Sequence, residues 1–316
     1  MIVIGLILEG GGMRAGFVAG ALMALMDRGL TGFDFSVAVS ASVPTLAYFA
    51  AGQRDEIEKV WRNELVTPKL VCYKNIPAAS LALSTRRPIL DIDYLVYEVF
   101  KKKHPLEVGR LMKSEMACYF AVTELSRARL TLLSPGDDDI YKIFKAALAV
   151  PGCYPATVRI DRWEYMDGGI ANLLPVHLLL ERKVDRIMAV LSTPIDDKYK
   201  PLNLLERTLL WRYFRRNPWI LRRLWETART YEEERTLLKE LAKQEPPRAF
   251  IIYPDQMPPA RFITRNRKKI NQTIDLGYKK VKDLEDRIRV FLNEETVRSD
   301  PSRPRGGLYQ DEKAAI

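Results

Sequence analysis

Short apolar runs alternate with helical stretches along the first two hundred residues. Runs of strand length lie at Ile2 to Leu8, Phe35 to Val39 and Arg186 to Leu191, and they are typical of strands buried on both faces of a parallel sheet. Helical stretches follow the first two runs, at Arg14 to Arg28 and Val43 to Ala51. This alternation predicts an α/β fold with a mostly parallel central sheet flanked by helices.

More elements are predicted between residues 110 and 170. Met116 to Thr123 and Arg129 to Leu133 have the character of strands, and Asp139 to Ala149 has that of a helix. Val158 to Tyr165 is predicted to form a hairpin-like pair of strands. This pair leads into the sequence around Asp167.

The pattern changes after residue 200, where long charged helices are interrupted by one apolar strand, Ala249 to Tyr253. Apolar residues from Ile270 to Phe291 recur every three or four positions and predict one final helix packed on the body. The sequence therefore predicts an α/β domain over residues 1–200 and a C-terminal helical extension over 201–295. Residues 296–316, rich in Pro, Gly and charge, are predicted to be a disordered tail.

Composition and charge limit the kinds of protein that this sequence can encode. The 316 residues are 47% hydrophobic and 28% charged, which is ample for a large core. The net charge of +10 favours anionic partners such as phospholipid surfaces, and no recognisable nucleic-acid-binding module accompanies it. Three scattered cysteines indicate reduced thiols, and no apolar run reaches the roughly 18–20 residues that span a bilayer. We expect a cytoplasmic protein with peripheral contact to the inner face of the membrane.

A glycine-rich segment, Glu9-Gly10-Gly11-Gly12-Met13-Arg14, lies between the first strand and the first helix. Glycines allow a tight turn that leaves backbone N–H groups open to a ligand, and the following helix adds the positive end of its dipole. Such a loop suits a phosphate or the oxyanion of an acyl-transfer intermediate. A plain strand-to-helix turn is the alternative.

Ser40 follows the second strand and precedes a helix, as the serine of a nucleophile elbow does. An elbow needs small neighbours, and Ala38, Ala41 and Ser42 are small. A serine in this place could also be a simple helix N-cap.

Asp167 precedes Gly168 and Gly169 after a predicted strand, which suits a carboxylate on a tight turn. A turn-forming aspartate without a catalytic role is the alternative. A hydroxyl nucleophile needs a base, and neither of the two histidines, His104 and His177, stands in a motif. A direct pair of serine and aspartate is therefore the simpler interpretation.

Together, Glu9 to Arg14, Val39-Ser40-Ala41 and Asp167 to Gly169 resemble the motifs of patatin-like phospholipases. The similarity extends over roughly residues 1–290 and is weakest at 66–110. It implies a three-layer sandwich and a serine esterase of the phospholipase A or lysophospholipase type that needs no metal or cofactor. The implied roles are nucleophile and base for Ser40 and Asp167, an oxyanion hole at Gly10, Gly11, Gly12, Met13 and Arg14, and support of the two turns by Ala38, Ala41, Ser42, Gly168 and Gly169.

Three residues depart from the family pattern, since Ala15, Ala38 and Ser42 stand where it has glycine. We expect them to crowd the site and to slow hydrolysis. One alternative is therefore a lipid-binding protein of the same fold with little or no turnover.

A more distant alternative is a nicotinamide-dependent oxidoreductase, because Gly10, Gly12 and Ala15 satisfy the dinucleotide-binding fingerprint. That fingerprint needs an acidic residue at the end of the second strand. Asp34 precedes the strand instead, and Ser40 occupies its end.

Two basic segments remain unassigned. Trp211 to Trp225 interleaves aromatic residues with arginines, which suits contact with an anionic membrane or with single-stranded nucleic acid. Its alternative is a packing helix, with an inward stripe formed by Leu221, Leu224, Ala228 and Tyr231. The second segment either binds an anion or is compensated by acidic residues from elsewhere; its cations are Arg261, Arg265, Arg267, Lys268 and Lys269.

Overall fold

An eight-stranded sheet lies at the centre of the part of the protein that the computed structural model describes, residues 2–77, 88–198, 207, 210–211, 214–215 and 217–293. Its strands are β1 Ile4–Leu8, β2 Phe35–Val39, β3 Ala117–Glu124, β4 Arg129–Leu133, β5 Val158–Ile160, β6 Trp163–Asp167, β7 Arg186–Val190 and β8 Ala249–Ile252. Their order is β5-β6-β3-β2-β1-β7-β8, and β4 pairs with β3 outside this path. The pairs that join β3, β2, β1, β7 and β8 are parallel, which confirms the predicted mostly parallel sheet.

The α-helices of the described residues lie around this sheet, some directly on it and others on neighbouring helices. They are α1 Gly16–Asp27, α2 Ser42–Ala50, α3 Arg54–Lys59, α4 Val108–Met112, α5 Ile140–Leu148, α6 Val176–Glu181, α7 Pro218–Ala242, α8 Arg267–Asp283 and α9 Glu285–Asn293. Leu6 and Leu8 belong to one hydrophobic core and Ile7, between them, to a second, so both faces of β1 are covered. This is the expected three-layer arrangement. None of the helices in the described ranges is both long enough and apolar enough to cross a bilayer.

The C-terminal extension packs on the first helix of the α/β body. A Cβ atom at Gly20 of α1 would lie 1.9 Å from the carbonyl oxygen of Ile274, and one at Gly277 of α8 would lie 1.9 Å from that of Phe17. Only glycine permits this approach of the two backbones. The described part of the predicted extension thus lies in close contact with α1.

The prediction of one continuous final helix is wrong. α8 ends at Asp283 and α9 begins at Glu285, with Leu284 between them. Beyond the break, the ring of Phe291 in α9 lies 5.5 Å from that of Phe250 in β8. Apolar spacing continues through the break because both helices bury one face. The predicted tail, 296–316, lies outside the described residues, as do 199–206.

The sheet brings three segments to one edge. β1 and β2 are parallel neighbours, with Leu8 opposite Ala38, so the residues after both strands emerge side by side. Asp167 ends β6 opposite Val122 of β3, and Ala121 of that strand is opposite Val39. The glycine-rich segment, Ser40 and Asp167 therefore meet.

Candidate active site

Ser40 occupies a sharp turn between β2 and α2. Its φ is +56°, in the left-handed region that serine adopts at a cost and that a nucleophile elbow imposes. The turn is closed by the Val43 amide, which donates to the Ser40 carbonyl oxygen over 2.9 Å. A Cβ atom at Gly10 would lie 3.0 Å from the Ser40 Cβ, so the glycine-rich segment runs directly beside the serine.

Asp167 accepts a hydrogen bond from Ser40. The Ser40 Oγ donates to Asp167 Oδ2 over 2.6 Å, and the Gly169 amide donates to Oδ1 over 2.7 Å. The Thr123 hydroxyl also donates to the Asp167 carbonyl oxygen, over 2.8 Å. A Cβ atom at Gly168 would lie 2.5 Å from the Ala121 carbonyl oxygen, so this turn needs glycine to approach β3. Residues 127 positions apart are thus held in contact.

Burial sets the acidity of Asp167. It raises the pKa of this carboxyl to about 6, while the hydrogen bonds from Ser40 and the Gly169 amide act in the opposite direction. The described residues supply no cation in an ion pair with Asp167. A carboxylate with a pKa near 6 is ionised at neutral pH and accepts a proton more readily than an exposed one.

The glycine-rich segment offers fewer free amides than the sequence predicts. The Gly10 amide donates to Leu173, the Met13 amide to Phe262, over 3.0 Å, and the Arg14 amide back to Gly11. The Gly11 and Gly12 amides have no hydrogen-bond partner among the described residues. Of the five residues predicted to form an oxyanion hole, folding therefore uses the N–H groups of Gly10, Met13 and Arg14 and leaves those of Gly11 and Gly12 available to a ligand.

Glu9 is a buried carboxylate whose role the sequence did not predict, and its hydrogen bonds fix the start of the glycine-rich segment. Glu9 accepts hydrogen bonds from the Ser192 amide, the Thr193 hydroxyl and the Tyr231 hydroxyl of α7. The Ser192 hydroxyl in turn donates to the Gly10 carbonyl oxygen over 3.1 Å. Burial raises the pKa of Glu9, and its hydrogen bonds oppose that rise. A carboxylate directly after a buried strand was the only available signal in the sequence.

Three buried residues stand where the family pattern has glycine. Ala15, Ala38 and Ser42 are fully buried. The Ser42 Oγ donates to the Glu9 carbonyl oxygen over 2.7 Å, so its hydroxyl has a partner. This bond joins the start of α2 to the start of the glycine-rich segment. Ser42 therefore supports the site, which removes one reason for expecting slow hydrolysis.

Neither histidine contacts the serine–aspartate pair. His177 Nδ1 is hydrogen-bonded to Glu234 of α7, which also accepts from the Asn172 side chain. This bond raises the pKa of His177. His104 Nδ1 lies 2.6 Å from Glu56 Oε2.

An apolar cavity adjoins Ser40. Gly12 and Phe262 line it with the serine, and it is narrow, with a volume of about 60 Å³. Thr45 lines it as well, but its hydroxyl oxygen accepts from the Trp61 indole over 3.0 Å. The remaining walls are apolar and include Ile57, Leu70, Leu90, Leu95, Phe100 and Leu148. The cavity suits a hydrocarbon chain.

The aromatic and basic segment has two faces. Of the predicted inward stripe of α7, Leu221 and Tyr231 are buried, and Leu224 and Ala228 are partly buried. Large aromatic side chains remain exposed on the same segment: Trp211 by 54%, Trp219 by 62% and Trp225 by 48%. The Thr227 hydroxyl donates to the Ile170 carbonyl oxygen over 2.8 Å, so α7 rests against the turn that carries Asp167.

The chain is similar to a known protein family and to individual proteins. Residues 6–180 match the model of the patatin-like phospholipase family. The uncharacterized protein YjjU of Escherichia coli is 25% identical over 206 residues, which are 63% of this chain and 54% of that protein. The matched part thus spans about half the length of this relative.

Among solved structures, VipD from Legionella pneumophila aligns with a TM-score of 0.50 at 14% identity, over 91% of this chain and 67% of that one. A human GIVD cytosolic phospholipase A2, in complex with methyl gamma-linolenyl fluorophosphonate, aligns with a TM-score of 0.41 at 12% identity, over 92% and 59%. At these identities the likeness concerns the fold alone.

Proposed function

The chain belongs to the patatin-like phospholipase family, and from this we propose that it hydrolyses carboxylic esters of lipids, as a phospholipase A or lysophospholipase does. One observation carries the proposal: the 2.6 Å hydrogen bond from Ser40 Oγ to Asp167 Oδ2, beside an apolar cavity. Nucleophile and base are in contact before substrate arrives.

In the proposed acylation step, Ser40 Oγ bonds to the ester carbonyl carbon while its proton moves to Asp167 Oδ2. The carbonyl oxygen becomes an oxyanion that accepts hydrogen bonds from the Gly11 and Gly12 amides. Collapse of this intermediate breaks the bond to the alcohol, which leaves with the proton from Asp167. The acyl group remains on Ser40.

Deacylation uses the same groups in reverse. Asp167 takes a proton from water, and the water oxygen bonds to the acyl carbon. The second intermediate collapses to a fatty acid, and Ser40 recovers its proton from Asp167. No step in this scheme calls on a metal or cofactor.

The cavity supports a substrate with a hydrocarbon chain. Its lining is apolar, and Ser40 is part of that lining, so a bound acyl chain would have its carbonyl carbon near the nucleophile. Because the cavity is narrow, we propose that it takes one chain and widens by side-chain movement for a longer one.

We also propose that the exposed tryptophans contact an anionic membrane from the cytoplasmic side. Trp219 and Trp225 flank the exposed Arg222 along α7, and aromatic rings with arginines suit the depth of phospholipid headgroups. Replacing both tryptophans by alanine should weaken binding to anionic vesicles and leave hydrolysis of a soluble ester unchanged. Equal binding by wild type and variant would contradict this contact.

A panel of soluble esters and phospholipids tests the proposed function. Ser40→Ala and Asp167→Asn should each lower kcat/KM by about a thousandfold or more, and the double variant should be little worse, because the two residues act as a unit. Ser134→Ala is a matched control, since its hydroxyl makes no hydrogen bond to the described residues. Lipid binding without turnover by the wild type would favour the binding-protein alternative.

A further inference from the structure

A group of exposed cations lies next to the wall of the cavity. Arg261, Arg267, Lys268 and Lys269, here called the cationic rim, are all exposed. No carboxylate of the described residues forms an ion pair with any of them. Asp275 of the same helix instead pairs with Arg62 over 2.7 Å. Of the two explanations left open by the sequence, compensation by acidic residues is therefore not seen in the described part of the chain.

The rim is attached to the active site through Phe262. This residue follows Arg261, lines the cavity and accepts the Met13 amide through its carbonyl oxygen, over 3.0 Å. The Arg261 amide donates to the Thr264 hydroxyl oxygen over 2.7 Å, which fixes the turn. Phe262 is partly exposed while it lines the cavity, so the cavity wall reaches the surface beside the rim.

A second segment fastens this turn in place. The Tyr73 hydroxyl donates to the Ile263 carbonyl oxygen over 2.8 Å and accepts from the Arg265 amide over 3.0 Å. The Arg265 guanidinium donates to the Val71 carbonyl oxygen and stacks on the Tyr73 ring, 4.8 Å from its centroid. Leu70, beside Val71, lines the cavity. The cationic rim therefore lies beside a part of the cavity wall that these hydrogen bonds hold in place.

Three consecutive cations at the start of a helix repel one another and oppose the helix dipole, so an anion bound beside them would stabilise this end of the helix. The Lys269 amide at this helix end already donates to Asn266 Oδ1 over 3.0 Å. We therefore expect an anion to be bound by the side chains of the cationic rim rather than by the backbone amides of the helix. We infer that the cationic rim binds the phosphate of the substrate headgroup while the acyl chain occupies the cavity. The preferred substrates are then glycerophospholipids or lysophospholipids with net negative headgroups, a specificity that rests on the proposed lipid hydrolysis.

The test separates headgroup binding from attraction to a charged surface. Hydrolysis is measured on monomeric dihexanoyl phosphatidylglycerol, monomeric dihexanoyl phosphatidylcholine and the neutral ester p-nitrophenyl butyrate. The rim variant carries Arg261→Gln, Arg267→Gln, Lys268→Gln and Lys269→Gln. The control variant removes four other exposed cations that have no ion pair in the described ranges, through Lys113→Gln, Lys243→Gln, Lys279→Gln and Lys282→Gln.

We expect the wild type to prefer the anionic phospholipid. The rim variant should lose about tenfold in kcat/KM on it, mainly through KM. The loss should be smaller on the phosphatidylcholine, whose ammonium group offsets the charge of its phosphate, and less than about twofold on p-nitrophenyl butyrate, which has no phosphate. The control variant should resemble the wild type. If the rim variant does not fold, Arg261→Gln and Lys268→Gln alone should each cost about twofold to threefold on the anionic substrate.

Three results would overturn the inference. The first is an equal loss in rim and control variants, and the second is no headgroup preference in a wild type that hydrolyses p-nitrophenyl butyrate. The third is a rim variant that hydrolyses the monomeric phosphatidylglycerol as the wild type does and is slower only when phosphatidylglycerol is presented in vesicles, which would assign the rim to the membrane surface. Failure of the proposed function is distinct, because the wild type would then hydrolyse none of the three substrates.

Discussion

Asp167 should make the folded protein less stable at neutral pH, because its charge is buried and no cation of the described residues forms an ion pair with it. Burial raises its pKa from the ordinary 3.8 to about 6. At about 1.4 kcal/mol per pH unit, holding this carboxyl ionised costs the folded state about 3 kcal/mol. The folded form binds the proton more tightly than the unfolded form. The cost is therefore complete above about pH 6 and absent below about pH 4.

Asp167→Asn removes the charge with little change of shape. Its amide oxygen can still accept the Gly169 amide, and its NH₂ group can donate to Ser40 Oγ, which then acts as acceptor. We expect the free energy of unfolding at pH 7.5 to rise by up to about 3 kcal/mol. Hydrolysis should be nearly abolished, since the amide cannot accept the proton.

Urea unfolding of wild type and Asp167→Asn at pH 7.5, 6, 5 and 4 measures the difference directly. The gain in stability should shrink below pH 6 and vanish near pH 4. Asp283→Asn, at an exposed position, is the control and should show no such trend. A variant no more stable than wild type at pH 7.5, or a gain that does not vary with pH, would refute the reasoning.

The remaining predictions concern pH, the elbow and histidine. kcat/KM on an uncharged ester should fall as pH drops through about 6, where Asp167 becomes protonated, and a midpoint near 4 would speak against a buried base. Ser42→Gly should lower the free energy of unfolding by about 1 kcal/mol and should also lower kcat, because it removes the hydrogen bond to the Glu9 carbonyl oxygen. An unchanged or faster variant would show that this bond is dispensable. His177→Ala should retain most of the activity, and a loss of about a thousandfold in a folded variant would require a catalytic triad.

The sheet could be predicted from the sequence because its signals are local. Phe35–Val39 and Arg129–Leu133 form strands with the predicted bounds, since short apolar or alternating runs end at turns that can be recognised. The break at Leu284 could not be predicted in this way. Both helices beside it bury one face, so the apolar spacing runs on unchanged.

At the candidate site, the sequence predicts that Ser40 and Asp167 meet, but it does not predict all of the contacts around them. Ser40 and Asp167 stand in recognisable turns, and parallel strands bring those turns together. Which amides stay free depends on Phe262, 249 positions after Met13, and the support of Glu9 depends on Tyr231 of α7. Such contacts arise from tertiary packing and leave no periodic mark on the chain.

Covalent labelling tests the central claim most directly, namely that Asp167 activates Ser40 as a nucleophile. The protein is treated at pH 7.5 with an alkyl fluorophosphonate, and its intact mass and the modified peptide are determined by mass spectrometry. We expect one adduct per chain, on Ser40, with none in Ser40→Ala and labelling at least about a hundredfold slower in Asp167→Asn. An adduct on another residue, or undiminished labelling of Ser40→Ala, would contradict the claim.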